Sequence, residues 1–349
     1  MSLTPRKAVL EMAPYSPPTS GRAGKLRLDF NENTVGASPR VVESLKRHLN
    51  AEGLSIYPEY EQTKPALARF FGVPESEFIL TNGTDEAIQV LVNTYVDDNQ
   101  EVLLLHPSYA MYRFYSEVAG ARVRELSYRP QDLSFPMDEL LDAITPDTRA
   151  ILIANPNNPT GTGVSIEGIE RILRRAPHAA LLIDEAYFEF NGFTALDLIK
   201  PYPNLFVSRT FSKVYGMAAL RIGCLFSQAR NVAFLHKAQS PYSVNMLAAI
   251  AVRAAMEDTE YVKNYVEQAL AARDLLYAGF KRLNIPCYPS RANFVLFRIG
   301  ERSLEIRDKL REKGVLVRDR SYEIPGCVRV TAGTPAQAER FLTELEKLL

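Results

Sequence analysis

The sequence predicts an α/β protein with two bodies: a larger one on a mostly parallel, mixed seven-stranded sheet flanked by helices, and a smaller α+β one. Three observations carry that prediction. Seven short apolar runs recur between residues 78 and 226, helix-like stretches separate them, and after residue 240 the pattern changes to long amphipathic segments. Runs that are apolar throughout suit strands covered on both faces, and strand–helix alternation builds a mostly parallel sheet.

Residues 1–30 are rich in Pro, Gly and Arg and show no strong period, so they are expected to form an arm that packs on the smaller body. The seven runs are "FILT" 78–81, "VLLL" 102–105, "RVREL" 122–126, "AILIA" 150–154, "ALLID" 180–184, "LFVS" 205–208 and "IGCLF" 222–226. Between them "TDEAIQVLVNTY" and "SIEGIERILRRA" read as helices. The last two runs lie close together, which predicts an antiparallel sheet edge. Next come "VNMLAAIAVRAAM" and "EYVKNYVEQALAARDLLYAGFKRL", one or two long helices, then "ANFVLFRI", helix-like "SLEIRDKLREKG", "VLVRD", "CVRVTAG" and a final helix "PAQAERFLTELEKLL". The expected division is arm 1–30, large domain 31–245 and small domain 246–349.

Composition narrows the function classes. The 349 residues hold 41 Lys+Arg against 41 Asp+Glu, so net charge supplies no long-range pull on nucleic acid or an anionic membrane. No apolar run reaches the ~18 residues of a membrane span. The N-terminal stretch lacks the apolar core of a signal peptide. Cys224, Cys287 and Cys327 are far apart with no CxxC pair, which fits a reducing compartment. A cytoplasmic protein is expected. His48, His106, His178 and His236 show no metal-ligand spacing.

Ligands in open α/β sheets bind beyond the C-terminal strand ends, and four unusual loops fall there. "LTNGTDEAI" places Gly83 at a tight turn, and the free N–H groups after it make an anion site to which Thr84 adds a hydroxyl. Plain helix capping, with Asp85 and Glu86 in the first turn, is the alternative. "ANPNNPTGTG" is a turn offering Asn157 and Asn158 as amide donors, or a bare turn. Neither of its glycine pairs completes a nucleotide-binding fingerprint. "LLIDEAYFEF" ends an apolar strand on Asp184, which needs donors or a cation if buried, or else caps the next helix; Tyr187 follows three residues on. "SRTFSKVYGMAALRIG" holds Lys213 with Thr210 and Ser212 before it and Arg221 after it. A lone lysine there either snorkels to solvent or, partly desolvated, becomes a nucleophile towards a carbonyl. One ligand would use all four loops if it carried a phosphate, an aldehyde, a basic ring nitrogen and a phenolate oxygen, as pyridoxal 5′-phosphate does.

"NPNNPTG", "LIDEAY" and "SRTFSKVYGMAALRIG" resemble the signature blocks of class I and II aminotransferases of pyridoxal-phosphate (PLP) fold type I, in order along nearly the whole chain. "LDFNENTVGASP", "IYPEYEQTKPALARFFGV", "NGTDEAI", "HPSYAMYRFY" and "VRDRSYEIPGCVRVTAGT" are most similar to the histidinol-phosphate aminotransferase branch. Thr34 stands where that branch usually has proline, and the N-terminal arm is short.

The resemblance implies a role for each matched residue. Lys213 would form the Schiff base and shuttle a proton. Asp184 would pair with the pyridine nitrogen and keep it protonated. Asn158 and Tyr187 would bond the phenolate oxygen, and Tyr109 would stack on the ring. Gly83, Thr84, Asp85, Thr210, Ser212 and Arg221 would form the phosphate cup, with Asp85 orienting donors. Tyr57 would reach the cofactor phosphate of a neighbouring subunit, which implies a homodimer with shared active sites. Arg329 would clamp the α-carboxylate of the substrate, and Tyr15 and Asn33 would close over it. Arg318 is the first candidate for a substrate phosphate, ahead of Arg320 and Arg22. The implied reaction is amino transfer between histidinol phosphate and 2-oxoglutarate, in ping-pong half-reactions. Two alternatives share the cofactor residues: an aromatic amino-acid aminotransferase, and a decarboxylase of a phosphorylated amino acid such as threonine phosphate.

Overall fold

The computed structural model describes residues 3–14 and 20–349. Tyr15 lies outside the described residues. The strands in chain order are β1 (Leu26–Arg27), β2 (Phe78–Thr81), β3 (Glu101–His106), β4 (Arg122–Ser127), β5 (Thr148–Ala154), β6 (Ala180–Asp184), β7 (Leu205–Thr210), β8 (Gly223–Phe226), β9 (Phe294–Arg298), β10 (Val315–Leu316), β11 (Arg318–Asp319) and β12 (Cys327–Thr331).

Seven of them form one sheet in the order β2-β8-β7-β6-β5-β3-β4. All seven predicted runs are strands of it. Within it β8 alone runs antiparallel to its neighbours, because the short chain from β7 doubles back beside it. It is not the edge: β2 pairs on its outer side. Successive residues serve opposite faces. On β5 and β6, Ile151, Ile153, Leu181 and Ile183 enter one apolar core, while Ala150, Leu152, Ala180 and Leu182 enter the other. Both faces are covered, which is why these strands lack polar alternation. The edge strand β4 is the exception, with Arg122 and Arg124 partly in solvent, and charge there discourages pairing with a further strand.

A second core holds Leu26, Leu28, Val295, Phe297, Val328, Val330, Phe341 and Leu345. Here β9 and β12 pair antiparallel, β11 adds to β12, and β1 pairs parallel with β10, so the N-terminal segment completes this smaller body. Phe280 and Phe297 stack at 4.6 Å. Truncating Phe297 to alanine would cost about 3–5 kcal/mol. The helix Thr259–Arg282 joins the two cores: Tyr265 and Ala269 pack in the larger, Ala272, Leu276 and Phe280 in the smaller. The preceding helix, Met246–Met256, packs in the larger core through Ala248, Ala251 and Val252. Among the described residues, no helix is long and apolar enough to cross a membrane.

Candidate active site

A cleft opens where β2, β5, β6 and β7 end. Thr84, Asp85, Tyr109, Tyr112, Asn158, Asp184, Tyr187, Thr210, Ser212, Lys213 and Arg221 line it. The four loops therefore converge, as a single-ligand reading requires.

Asp184 is the last residue of β6, in register with Ser208 of β7. Its Oδ1 accepts a hydrogen bond from the Ser208 hydroxyl at 2.9 Å and its Oδ2 accepts one from the Tyr112 hydroxyl at 2.7 Å. It makes no ion pair among the described residues. Burial pushes its pKa up to about 6, against the pull of these donors and the Ala186 N–H. A carboxylate held this way calls for a cation. Lys213 enters the same cleft from the loop after β7, and its Nζ donates to the Phe30 carbonyl at 2.9 Å. Burial lowers its pKa to about 8, helped by the charges of Arg329 and Arg221. That amine is far easier to deprotonate than a solvated lysine.

One end of the cleft is built from the helix Gly83–Tyr95 and from Arg221. Gly83 has φ +73°, and a Cβ on it would lie 2.6 Å from Arg221 Nη2, so any other residue would strain the backbone and push the guanidinium aside. The Thr84 hydroxyl is buried without a partner. Arg221 donates to Ser212 Oγ at 3.4 Å, and Ser212 N donates to Thr210 Oγ1 at 3.1 Å. Asp85, an acid beside Arg221 at this end, is occupied by structural contacts. It pairs with Arg221 at 3.0 Å and accepts the Tyr109 hydroxyl at 2.8 Å, orienting both.

Across the cleft, Asn158 Oδ1 accepts a hydrogen bond from the Arg329 guanidinium. The Tyr187 hydroxyl accepts one from Asn31 Nδ2 at 2.9 Å. Arg329, on β12, also donates to the Asp29 carbonyl at 2.5 Å, and its Nε has no partner. Burial lowers its pKa to about 10. It has no carboxylate partner among the described residues.

The arginines predicted for substrate separate by their partners. Arg22 is tied to Asp29 and Glu32, at 2.9 and 2.8 Å, and Arg320 to Glu323 at 2.5 Å. Arg318 makes no ion pair among the described residues; it lies over the Phe30 ring at 5.4 Å and is the register partner of Arg329. The side chain of Asn33 closes a local turn, accepting from Val35 N and Gly36 N and donating to Val214 O, rather than reaching into the cleft. Asn31, two residues earlier, makes the contact with Tyr187. Tyr57 is 72% exposed and packs on Tyr242 at 4.6 Å, away from the cleft of its own chain. Sequence reasoning passes over Tyr112, Ser208 and Asn31. The three-residue spacing of Tyr109 and Tyr112 is a signal that both face one side of a helix.

The family profile "Aminotransferase class I and II" matches residues 23–345. The chain belongs to that family. This aminotransferase is 36% identical to a histidinol-phosphate aminotransferase of Symbiobacterium thermophilum, across 99% of this chain and 98% of that protein. It is 35% identical to histidinol-phosphate aminotransferase 2 of Ralstonia nicotianae, across 93% and 88%. Among solved structures, histidinol-phosphate aminotransferase from Sinorhizobium meliloti, in complex with pyridoxal-5'-phosphate, superposes with TM-score 0.88 and 22% identity, covering 100% of this chain and 99% of that one. At that identity the likeness is one of fold.

Proposed function

We propose that this aminotransferase uses pyridoxal 5′-phosphate to exchange an amino group between L-histidinol phosphate and 2-oxoglutarate. One observation carries the cofactor reading: an amine of lowered proton affinity, Lys213, and a buried carboxylate without a cation, Asp184, enter the same cleft. The remaining residues fit the group. A Cβ on Gly83 would displace the Arg221 guanidinium, and Thr84 has a buried hydroxyl free to donate, beside Ser212 and Arg221, where a phosphate would be held. Asn158 and Tyr187 would hold the phenolate oxygen, and Tyr109 the ring face.

When bound, the cofactor supplies an electron sink for the carbanion formed at the substrate Cα. The chain does the rest. Lys213 would hold the aldehyde carbon and, once the substrate amine has displaced it, would move a proton from the substrate Cα to that carbon. Asp184 would keep a proton on the pyridine nitrogen. Arg329 orients a carboxylate bidentately, and the unpaired Arg318 suits a second anionic group such as a phosphate. The names of the relatives support histidinol phosphate as the donor.

A homodimer is part of this reading. Leu49, Leu54, Ile56, Tyr57 and Tyr242 are all exposed by half or more, an apolar patch suited to a second copy that would bring Tyr57 to the neighbouring cofactor phosphate. The two cores support separate large and small domains, and a cytoplasmic location fits the reduced cysteines.

A panel of amino donors with 2-oxoglutarate tests the substrate. L-histidinol phosphate is expected to give the highest kcat/KM. Faster turnover of aromatic amino acids would replace it as donor, and carbon dioxide released from threonine phosphate would overturn transamination.

A further inference from the structure

We propose that Tyr112 is a positioning residue for cofactor electronics: together with Ser208 it holds Asp184 in its ionised form, so that the shared proton stays on the pyridine nitrogen. This rests on the cofactor reading above. Asp184 and a pyridine nitrogen compete for one proton. Each hydrogen bond donated to the carboxylate stabilises its anion and tilts that contest towards the ring. Tyr112 donates to Oδ2 at 2.7 Å and Ser208 to Oδ1 at 2.9 Å, one side-chain hydroxyl on each oxygen.

Tyr112 is suited to be a permanent donor. Only 1% of it is exposed. Burial, then the neighbouring Asp184 charge, pushes its own pKa well above the ordinary phenol value, so it does not ionise at working pH. Its ring is braced edge-on against Tyr109 at 5.7 Å, and its helix, Ala110–Val118, packs beside β3 and β4. One short segment thus serves both purposes: Tyr109 is placed for the ring face and Tyr112 for the acid at the ring nitrogen. The other titratable groups around Asp184 come from three elements: Asp85 on the helix Gly83–Tyr95, Tyr187 after β6 and Lys213 after β7. None of these three hydrogen-bonds the carboxylate.

The test uses holoprotein loaded with pyridoxal phosphate carrying nitrogen-15 in the ring. Tyr112→Phe removes one oxygen and leaves the packing. It is expected to move the ring-nitrogen NMR shift towards the unprotonated value and to lower kcat on the order of ten-fold or more, with KM within about two-fold. Ser208→Ala should act in the same direction, and serves if Tyr112→Phe folds poorly. Tyr95→Phe, which removes another buried tyrosine hydroxyl, one without a hydrogen-bond partner, should move neither reading. A Tyr112→Phe shift equal to wild type overturns the inference, even if kcat falls, since a merely structural role would produce that pattern. Wild-type protein that takes up no cofactor overturns the cofactor reading and this inference with it. Wild-type uptake with an unmoved shift in both variants overturns this inference alone.

Discussion

The two walls of the cleft are held by different kinds of bond. On the large-body wall, side chains brace one another: Asp85 holds Arg221 and Tyr109, and Tyr112 and Ser208 hold Asp184. On the small-body side, Arg329 leans on Asn158 and a backbone carbonyl of the N-terminal segment, while its register partner Arg318 leans on the Phe30 ring and lines a separate pocket with Asp29, Arg307 and Tyr322. A charge network closed on itself is rigid and suits a resident ligand, whereas guanidiniums without acid partners suit ligands that come and go. Under the proposed function, the first would hold the cofactor and the second the substrate.

The largest expected effect comes from the residue between the walls. Lys213→Ala should lose turnover by a factor on the order of a thousand or more, while the cofactor is still held noncovalently by the large-body wall. Borohydride should trap the cofactor on Lys213 in the wild type and on nothing in the variant. Turnover at the wild-type rate would refute the assignment. Arg329→Met addresses the opposite wall. The KM for 2-oxoglutarate should rise on the order of a hundred-fold, with cofactor affinity within about three-fold. An equal loss of both would show that the walls do not work separately.

The smallest effect concerns stability. In protein stripped of cofactor, the folded pKa of Asp184, about 6, exceeds its ordinary value of 3.8. The folded state then binds this proton more tightly, so the contribution to stability is full below about pH 4 and lost as pH rises through about 6. A shift of this size is worth about 3 kcal/mol. Asp184→Asn without cofactor should therefore melt a few degrees above wild type at pH 7.5, and below it once cofactor is added, by differential scanning calorimetry. A variant that melts lower in both states would mean that the carboxylate is already compensated.

Much of the fold and of the cofactor wall is legible in the sequence. The seven runs are seven strands because a sheet buried on both faces leaves little room for polar residues, and Lys213, Asp184 and Arg221 stand out as charges at the ends of such runs. Asp85 is visible but puzzling, since its partner Arg221 lies 136 positions away. Of the two asparagines in "NEN", the one expected over the substrate, Asn33, staples a turn, while Asn31, at φ +56°, reaches Tyr187. No local pattern separates those fates.

By itself, the sequence determined the period of its strands, the helices between them, and which loops carried groups too reactive or too polar to be plain turns, because these follow from near-neighbour sterics and hydrophobic alternation. Only the tertiary structure decided that Tyr112 meets Asp184, that Asp85 restrains Arg221, and that Arg318 rather than Arg22 or Arg320 keeps its charge unpaired. Those pairings depend on strand order, register and helix rotation. These bring residues far apart in the chain within about 3 Å, the range over which hydrogen bonds and proton affinities are set.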